Sequence, residues 1–340
     1  MRICLIADFS EPDEARKVIA HNLCIELSKT HEVLKGDIRH LFFIGFWREI
    51  REFEPHIIHY IPGASPLSFA ITKALKLFST KTRTIMFTML HPFHSPFHGF
   101  YYLFSCLIKR IIPFMKTDLV VVQSEDTEKV FKKLVCKVKF MVCSGVDVKR
   151  FVPVSEKRRE ELRGKYGIDN EKFVVLHVGS IRKWRNVEML KELQNHNAGT
   201  QVVVVGRTST KFERGVALKL EKAGCKIIKE YVPKIEEIYA LSDCYVFPTI
   251  DPVGSIDVPL SVLEAMACNL PVISTKFGGL PRIFKEGDGL IFIEKEEDLH
   301  KAIEAIKNCI NVETREKVLS YSWENVAKRL GEIYEELLRD

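Results

Sequence analysis

The segment VPLSVLEAMACNLPVIST, residues 258–275, predicts a helix followed directly by a strand. Nearly every side chain from residue 260 to residue 270 is apolar or small, which is typical of a helix that is buried on all sides. Pro259 suits the first position of a helix, and Asn269 suits the left-handed residue that ends one. Val272 and Ile273, which follow, predict a short strand. The segment therefore predicts one α-to-β step of a layered α/β fold.

Glu264 is the one acidic residue of this predicted helix. The residues three and four positions away are Leu260, Ser261, Ala267 and Cys268, so no Lys or Arg can pair with it along the helix. A buried carboxylate without a partner is strongly unfavourable. Two interpretations follow: Glu264 lies at an edge of the helix, in water or near a distant Arg, or it accepts hydrogen bonds from a polar ligand.

Short apolar runs alternate with helical patterns along the whole chain. The predicted strands are RICLIAD, HEVLKGD, HIIHYI, RTIMFTML and DLVVVQS in the first half, and FVVLHVGS, TQVVVVG, CKIIKEYV, CYVFPT, LPVIST and GLIFI in the second. This β-α-β rhythm predicts an α/β fold of two doubly wound parallel sheets. We expect two Rossmann-like domains that face each other across a cleft.

The charged stretch PVSEKRREELRGKYGIDNEK separates the two halves and predicts a linker followed by a solvated helix. We therefore predict an N-terminal domain over residues 1–153 and a C-terminal domain over residues 154–318. Residues 319–340 predict an amphipathic helix, because the apolar side chains from Trp323 to Leu337 form one stripe. We expect this helix to pack on the body of the protein or to cross back to the N-terminal domain.

The bulk composition is that of an ordinary globular protein, with 46% hydrophobic and 28% charged residues. The nine cysteines contain no C-x-x-C pair, which favours reduced thiols, a cytoplasmic location and the absence of a zinc site. The first seven residues predict a strand. Their apolar run is too short for the core of a signal peptide.

The positive charge is concentrated in the N-terminal half. Residues 1–150 carry 22 Lys and Arg against 15 Asp and Glu, whereas residues 151–340 carry 29 against 30. Residues 55–117 contain no acidic residue, seven Lys or Arg and eleven Phe or Tyr. This span predicts either a surface for anionic lipid headgroups or an anionic ligand, or an aromatic core with solvated charges. The Lys109–Arg110 pair argues against a membrane-spanning helix, and no motif indicates nucleic acid binding.

The loop after FVVLHVGS carries three cations, Arg182, Lys183 and Arg185, within four residues. Loops at the carboxyl ends of strands bind ligands in doubly wound sheets, and Arg and Lys neutralise phosphate charge. Taken alone, the loop is better interpreted as a solvated basic loop. The unpaired N–H groups at the start of the apolar helix, which begins near Pro259, suit a phosphate as well. With Glu264 one turn further on, these groups predict a site for a nucleotide sugar.

Several segments in chain order resemble family 4 glycosyltransferases, which adopt the two-domain GT-B fold. VPLSVLEAMACNLPVIST, FGGLPRIF and GDGLIFI are similar to the donor-binding segment of that family, and LHVGSIRKWRNVEMLKEL to its VGR…KG…L loop. VCSGVDVKRFVP is similar to its interdomain segment, YVPKIEEIYALSDCYVFPT to its base-side segment, and YSWENVAKRLGEIYEELL to its closing helix. The resemblance covers nearly the whole chain and is strongest from Val142 onward.

The resemblance implies a retaining glycosyltransferase, which moves a sugar from a nucleotide diphosphate sugar to an acceptor without a metal ion or another cofactor. It implies that Arg182, Lys183 and Arg185 stabilise the leaving diphosphate and that His91 lies near the transferred sugar. Glu264 matches the second glutamate of the family's E-x7-E motif, which binds the ribose. The family gives no protein nucleophile, so none is expected here.

The donor and the acceptor are expected to bind to different parts of the chain. The acid-free, aromatic N-terminal span fits a glycan or lipid-linked acceptor at the cytoplasmic face of a membrane, with peripheral membrane contact. Gly63, Lys109 and Arg110 are the candidate acceptor-binding residues. The candidate donor-binding residues are Gly179, Ser180, Val232, Asp251, Asp257, Leu260, Ser261, Val262 and Glu264.

The chain also departs from the family pattern. Ile256 stands where the motif has its first glutamate, with Asp257 one residue late and Asp251 beyond an insertion, and Ser180 replaces an arginine. Two alternatives therefore stay open: a non-catalytic GT-B partner subunit, and a nucleotide-sugar 2-epimerase. The epimerase needs acids for proton abstraction, which the span 55–117 lacks. The absence of a G-x-G-x-x-G motif disfavours a dehydrogenase.

Overall fold

The computed structural model describes residues 1–12, 14–77, 81–89, 117–134, 137–196, 199–206, 212–252, 254–309 and 311–340. The chain divides into two compact units. Unit 1 consists of Met1–Gly145, Ile256–Val258 and Trp323–Asp340, and unit 2 of Val146–Ser255 and Pro259–Ser322. The first division therefore falls at Gly145 and Val146, before the predicted boundary at residue 153. The chain also leaves unit 2 for three residues, 256–258, and then returns to it.

Unit 1 contains a parallel sheet of six strands in the order β2-β1-β3-β4-β5-β6. The order extends from β1 in both directions, so it reverses between β1 and β3, as in a doubly wound sheet. The strands are β1 (Arg2–Ala7), β2 (Glu32–Asp37), β3 (Ile57–Tyr60), β4 (Arg83–Thr88), β5 (Leu119–Val122) and β6 (Val138–Phe140).

Unit 2 contains a second parallel sheet of six strands, in the order β12-β11-β10-β7-β8-β9. This order reverses between β7 and β10. The strands are β7 (Phe173–Val178), β8 (Thr200–Val205), β9 (Lys226–Ile228), β10 (Cys244–Phe247), β11 (Val272–Thr275) and β12 (Leu290–Ile293).

Helices connect these strands. Over the described residues, and numbered along the chain, they are α1 (Ala15–Leu27), α2 (Ile44–Phe53), α3 (Pro66–Leu77), α4 (Glu125–Lys133), α5 (Glu156–Tyr166), α6 (Leu190–His196), α7 (Arg214–Lys222), α8 (Ile235–Ala240), α9 (Leu260–Ala267), α10 (Leu280–Ile283), α11 (Asp298–Lys307), α12 (Thr314–Val318) and α13 (Trp323–Arg339).

The central strands form where short runs of β-branched and other apolar residues are buried on both faces of a parallel sheet. All four residues of β5 and all four of β10 are buried. The prediction of an α/β fold with two doubly wound parallel sheets is confirmed. The exception is β6, which no sequence pattern predicts because its three residues are only half-buried and one of them is Lys139.

Helix α9 begins one residue later than its sequence predicts and ends as predicted. Leu260 is its first residue, after the non-helical Pro259, and Asn269 takes the left-handed conformation with φ of 57° shortly after its last turn. Arg315 fixes the end of the helix, because its Nη1 donates to the carbonyl of Ala267 and also, at 2.8 Å, to that of Phe151. An apolar helix with both ends fixed gives unit 2 a rigid element on which to mount a site.

Helix α13 packs within unit 1. The Tyr334 hydroxyl lies 2.5 Å from Nδ1 of His59 on β3, and both side chains are fully buried. Burial lowers the pKa of His59 to about 3, so the imidazole is neutral. At the start of α13, the Trp323 ring covers Gly145, so a Cβ at Gly145 would lie 2.7 Å from Cδ2 of that ring. Among the described residues, no helix is both long enough and apolar enough to cross a membrane.

Gly145→Ala is expected to destabilise the protein by about 1–3 kcal/mol, because the new methyl group overlaps the Trp323 ring. Urea unfolding measures the change. Gly164→Ala in α5 is the matched control, because a Cβ there meets no atom within 4 Å, and Ala favours a helix by up to about 1 kcal/mol over Gly. Equal stabilities of the two variants would contradict the packing of α13 against Gly145.

Candidate functional site

The strand order of unit 2 reverses between β7 and β10, which are neighbours in the sheet but distant in sequence. The chain continues from β7 through β8 and β9, and from β10 through β11 and β12 in the opposite direction. The loops after β7 and β10 therefore diverge at the carboxyl edge of the sheet, where doubly wound folds bind ligands. Residues 179–186, residues 248–252 and 254–255, and helix α9 are the parts of unit 2 that form the candidate site.

The Arg185 side chain folds back over the end of β7, the strand that precedes its loop. A Cβ placed on Gly179 would lie 3.0 Å from Nη1 of Arg185, and the Arg185 guanidinium carbon lies 5.9 Å from the ring centre of Phe247 on β10. The guanidinium therefore lies across the ends of two neighbouring strands. A side chain at position 179 would crowd the guanidinium, so glycine favours this close approach.

A 3₁₀ turn, Lys183–Arg185, gives this loop its shape. Asn186 ends the turn in the left-handed conformation, with φ of 53°, and its N–H donates to the Lys183 carbonyl at 2.9 Å. Asn tolerates this backbone region better than most residues. In the VGR…KG…L loop of the family that the sequence resembles, glycine stands at this position. Lys183 is exposed, whereas Ser180 and Arg182 are half-buried. The loop thus carries Arg185 over the strand ends and two further cations, Arg182 and Lys183.

His177, the next-to-last residue of β7, is a candidate that no sequence motif indicates. Its ring is fully buried, and Nδ1 donates to the carbonyl of Val246 at 2.9 Å, so Nε2 carries a lone pair. Within the described residues Nε2 has no hydrogen-bond partner, and it lies 3.1 Å from the Cβ position of Gly179. Burial, with a smaller effect of the Arg185 charge, lowers the pKa of His177 to about 4. At neutral pH the site therefore contains an uncharged acceptor beside Gly179.

Tyr245 on β10 joins helix α9 to the end of β7. Its buried hydroxyl is hydrogen-bonded to Oγ of Ser261 at 2.8 Å and to the carbonyl of Val178 at 3.4 Å. Its ring stacks on His177 with 6.3 Å between the ring centres. The structure thus brings Ser261, a predicted donor-binding residue, next to the strand end that precedes Gly179.

The first turn of α9 has the properties of an anion site. Pro259 caps the helix without a side-chain hydrogen bond, and the first turn contains no acidic residue. Helix starts leave backbone N–H groups without intrahelical partners and carry a partial positive charge. Leu260 and Ser261 supply such amides here, while the N–H of Val262 is 3.2 Å from the Pro259 carbonyl. An anionic group fits this turn.

Glu264 has a hydrogen-bond partner that explains its place in an apolar helix. The hydroxyl of Tyr239 on α8 donates to Oε2 of Glu264 at 2.8 Å, and the Glu264 side chain is half-buried. Neither interpretation from the sequence includes Tyr239 as a partner, and both stay open. The hydrogen bond leaves the ligand-binding role of Glu264 as a prediction.

The loop after β10 packs against the basic loop. A Cβ on Gly254 would lie 2.6 Å from the carbonyl oxygen of Trp184, and Oγ1 of Thr249 donates to the Arg185 carbonyl at 3.5 Å. Asp251, half-buried, accepts the N–H of Gly254 on its backbone oxygen at 2.8 Å. Asp251 therefore lies in the loop that packs on the basic loop of Arg182, Lys183 and Arg185. Val232, in the loop after β9, is half-buried.

Asp257 lies in the segment Ile256–Val258 of unit 1, and its donor-binding role stays a prediction. Its Oδ2 accepts from Oγ of Ser124 and from Oγ1 of Thr127, both at 3.0 Å, at the start of α4. Its N–H donates to the carbonyl of Met89 at 2.7 Å. Burial raises the pKa of Asp257 to about 6, although the two hydroxyl donors oppose the increase. The polar groups of this helix start account for a carboxylate at this position.

The predicted acceptor residues lie in unit 1 or outside the described residues. Gly63 follows β3, next to the order reversal of its sheet, with φ of 111° and open space where a Cβ would be. The neighbouring Pro62 carbonyl accepts from Nη1 of Arg16 at 3.2 Å. A positive φ of this size requires glycine. His91, Lys109 and Arg110 lie outside the described residues.

Residues 158–322, just under half of the chain, match the family described as Glycosyl transferases group 1. The matched range contains every part of the candidate site in unit 2, from Gly179 to Glu264. This match agrees with the resemblance of the sequence motifs to glycosyltransferases.

Curated relatives point to the same class. The D-inositol 3-phosphate glycosyltransferase of Corynebacterium jeikeium is 25% identical over 246 residues, which cover 65% of this chain and 58% of the relative. Sulfoquinovosyl transferase SQD2 of Arabidopsis thaliana is 28% identical over 251 residues, which cover 70% of this chain and 46% of the relative. The chain thus spans about half the length of these curated relatives.

Solved structures share the fold over the whole chain. The Anabaena protein HepE in complex with UDP has a TM-score of 0.74 at 15% identity and covers 99% of this chain and 100% of its own. Sucrose-phosphate synthase from Thermosynechococcus elongatus has a TM-score of 0.75 at 17% identity and covers 100% and 99%. Together with the two doubly wound sheets, these similarities confirm the predicted GT-B fold class.

Asp257→Asn is expected to change how stability depends on pH between about 4 and 6. The native pKa of about 6 lies above the ordinary 3.8, so in this range the native state binds more protons than the unfolded state, and stability falls as pH rises. Asn does not titrate. Relative to the variant, the wild type should lose about 2 kcal/mol between pH 4 and pH 6, with a slope of at most about 1.4 kcal/mol per pH unit. Urea unfolding at pH 4, 5, 6 and 7 tests this, and a difference that is independent of pH would contradict it.

Proposed function

We propose that the protein is a retaining glycosyltransferase that transfers a sugar from a nucleoside diphosphate sugar to an acceptor. The observation that carries the proposal is the grouping of Arg185, the first turn of α9 and Glu264 at the order reversal of the unit 2 sheet. A guanidinium and a helix start attract phosphates, and a carboxylate accepts from sugar hydroxyls.

The main requirement of this reaction is to stabilise negative charge on the diphosphate. As the bond between the sugar and the diphosphate breaks, negative charge develops on the leaving oxygen, and groups already in place stabilise it best. Arg185 lies over the strand ends, Lys183 and Arg182 belong to the same loop, and the amides of Leu260 and Ser261 start α9. These groups provide the positive charge that the proposal requires without a metal ion.

The nucleoside part of the donor is proposed to bind along α9 and the loop after β9. Glu264, one turn into α9, accepts the ribose hydroxyls, and backbone groups near Val232 contact the base. The HepE structures with UDP and with UDP-glucose support a nucleoside diphosphate sugar as the donor. We further propose that Asp251 and His91 contact the transferred sugar and that no protein nucleophile takes part.

The acceptor is proposed to bind to unit 1, with Gly63, Lys109 and Arg110 among its contacts. The span 55–117 supplies seven cations and no acid, which suits an anionic glycan or lipid-linked acceptor at the cytoplasmic face of a membrane. One relative is named for D-inositol 3-phosphate, an anionic compound. Gly63, with open space at its Cα, allows close approach to the backbone.

A thermal-shift screen against UDP-, ADP- and GDP-sugars, with EDTA present, tests the donor site. One nucleotide class should raise the melting temperature, because a ligand that binds only the folded state stabilises it by about 2.7 kcal/mol at 100 times its Kd. Glu264→Gln should weaken this ligand about tenfold or more, since hydrogen bonds to a charged group contribute about 1.5–3 kcal/mol.

Glu304→Gln, at an exposed position of α11, is the matched control and should keep wild-type affinity. A folded protein that shows no shift with any of the nucleotide sugars would contradict the proposed donor site and favour the non-catalytic partner. A Glu264→Gln variant that loses stability but not affinity would make Glu264 structural.

Sedimentation with anionic liposomes tests the membrane contact. Replacing Lys109, Arg110 and Lys116 by Gln should lower binding roughly 100-fold, because each cation near an anionic surface contributes about 1 kcal/mol. Replacing Lys129, Lys132 and Lys133 of α4 removes the same charge at exposed positions and is the control. Equal sedimentation of the two variants would contradict a specific membrane-binding surface.

A further inference from the structure

The hydrogen bond between Tyr239 and Glu264 joins two residues that are 25 positions apart in sequence. Tyr239 on α8 is fully buried, and its hydroxyl lies 2.8 Å from Oε2 of the half-buried Glu264 on α9. A hydrogen bond to an ionised carboxylate is stronger than one between neutral groups. Tyr239 is therefore a significant constraint on where the carboxylate lies.

The donor of this hydrogen bond is held by packing rather than by Glu264. The Tyr239 ring meets Phe151 edge-on at 5.7 Å and Tyr245 at 5.9 Å between ring centres. Burial raises the pKa of Tyr239 well above its usual value, and the negative charge of Glu264 adds to the effect. The hydroxyl thus stays protonated at a fixed point, with Tyr239 always the donor and Glu264 always the acceptor.

The Tyr239 hydroxyl orients Glu264 and occupies a single acceptor position of its carboxylate. A carboxylate offers about four acceptor positions, of which the Tyr239 hydroxyl takes one. A glutamate without a fixed partner samples several rotamers, and each ligand that binds must select one of them. A buried donor that selects the rotamer in advance lowers this cost, which is the general effect of preorganisation on affinity.

We propose that Tyr239 is a positioning residue, which holds the Glu264 carboxylate in the orientation that accepts the ribose hydroxyls of the donor nucleotide. The proposal rests on the proposed function, in which Glu264 binds the ribose. Tyr239 itself touches no substrate and acts through Glu264 alone.

A purely structural role makes a different prediction. If Tyr239 only balances the charge of Glu264 in an apolar helix, loss of the hydroxyl lowers stability and weakens every ligand of the site to the same extent. If Tyr239 positions the carboxylate, the part of the affinity that comes from the ribose hydroxyls is lost selectively. Tyr166 offers a matched control, because its hydroxyl donates to Oε2 of Glu237 at the same 2.8 Å within unit 2.

Isothermal titration calorimetry with UDP, ADP and GDP, and with the 2′,3′-dideoxy form of each, separates these roles. The ratio of the two dissociation constants is the ribose preference, which we expect to be about tenfold or more in the wild type. Tyr239→Phe should lower this preference about three- to tenfold and leave the dideoxy affinity unchanged. Glu264→Gln should lower it at least as far, and Tyr166→Phe should leave it at the wild-type value.

A Tyr239→Phe variant that keeps the wild-type ribose preference, or that weakens both forms equally, would overturn the proposal while leaving the donor site intact. If Tyr239→Phe does not fold, Glu264→Asp serves instead, because it shortens the side chain by one methylene and withdraws the carboxylate from Tyr239. An unchanged preference in that variant would overturn the proposal as well. A wild type that binds the nucleotides without any ribose preference, or binds none of them, would overturn the ribose contact of Glu264 and this proposal together.

Discussion

The candidate site depends on one constraint of parallel sheets: each strand must be joined to the next by a crossover that returns to the same edge. All loops that follow strands therefore emerge on one side, and two of them diverge where the order reverses between β7 and β10. Gly179 lies at this point, and its missing side chain lets Arg185 lie across both strand ends. The same edge receives helix α9 through the hydroxyl of Tyr245.

Local signals in the sequence were sufficient to predict most of the fold and part of the site. Apolar runs predicted the central strands, and Pro259 and Asn269 predicted both ends of α9, because caps and periodicity depend on neighbouring residues. Glu264 was recognisable as a residue that needs a partner. Its actual partner, Tyr239, was not, because a contact between α8 and α9 leaves no spacing pattern in the sequence. His177 was missed for the same reason.

Asp257 shows what a comparison of motifs leaves out. Counting positions from Glu264 makes Asp257 a substitute for a missing glutamate, and so a predicted donor-binding residue. The structure adds its surroundings, in which the hydroxyls of Ser124 and Thr127 at the start of α4 donate to its carboxylate. A buried carboxylate is placed by the donors that surround it, and these come from a part of the chain more than a hundred residues earlier. Position in a motif carries no information about such donors.

The division of the chain has a consequence for synthesis on the ribosome. Unit 1 needs Trp323–Asp340, yet all of unit 2 is translated before those residues emerge. Unit 2 can therefore fold while unit 1 still lacks α13. Until then, His59 has no Tyr334 hydroxyl beside it and the Trp323 ring does not cover Gly145. The residues of unit 1 that pack against α13 thus stay uncovered until Trp323–Asp340 have been translated.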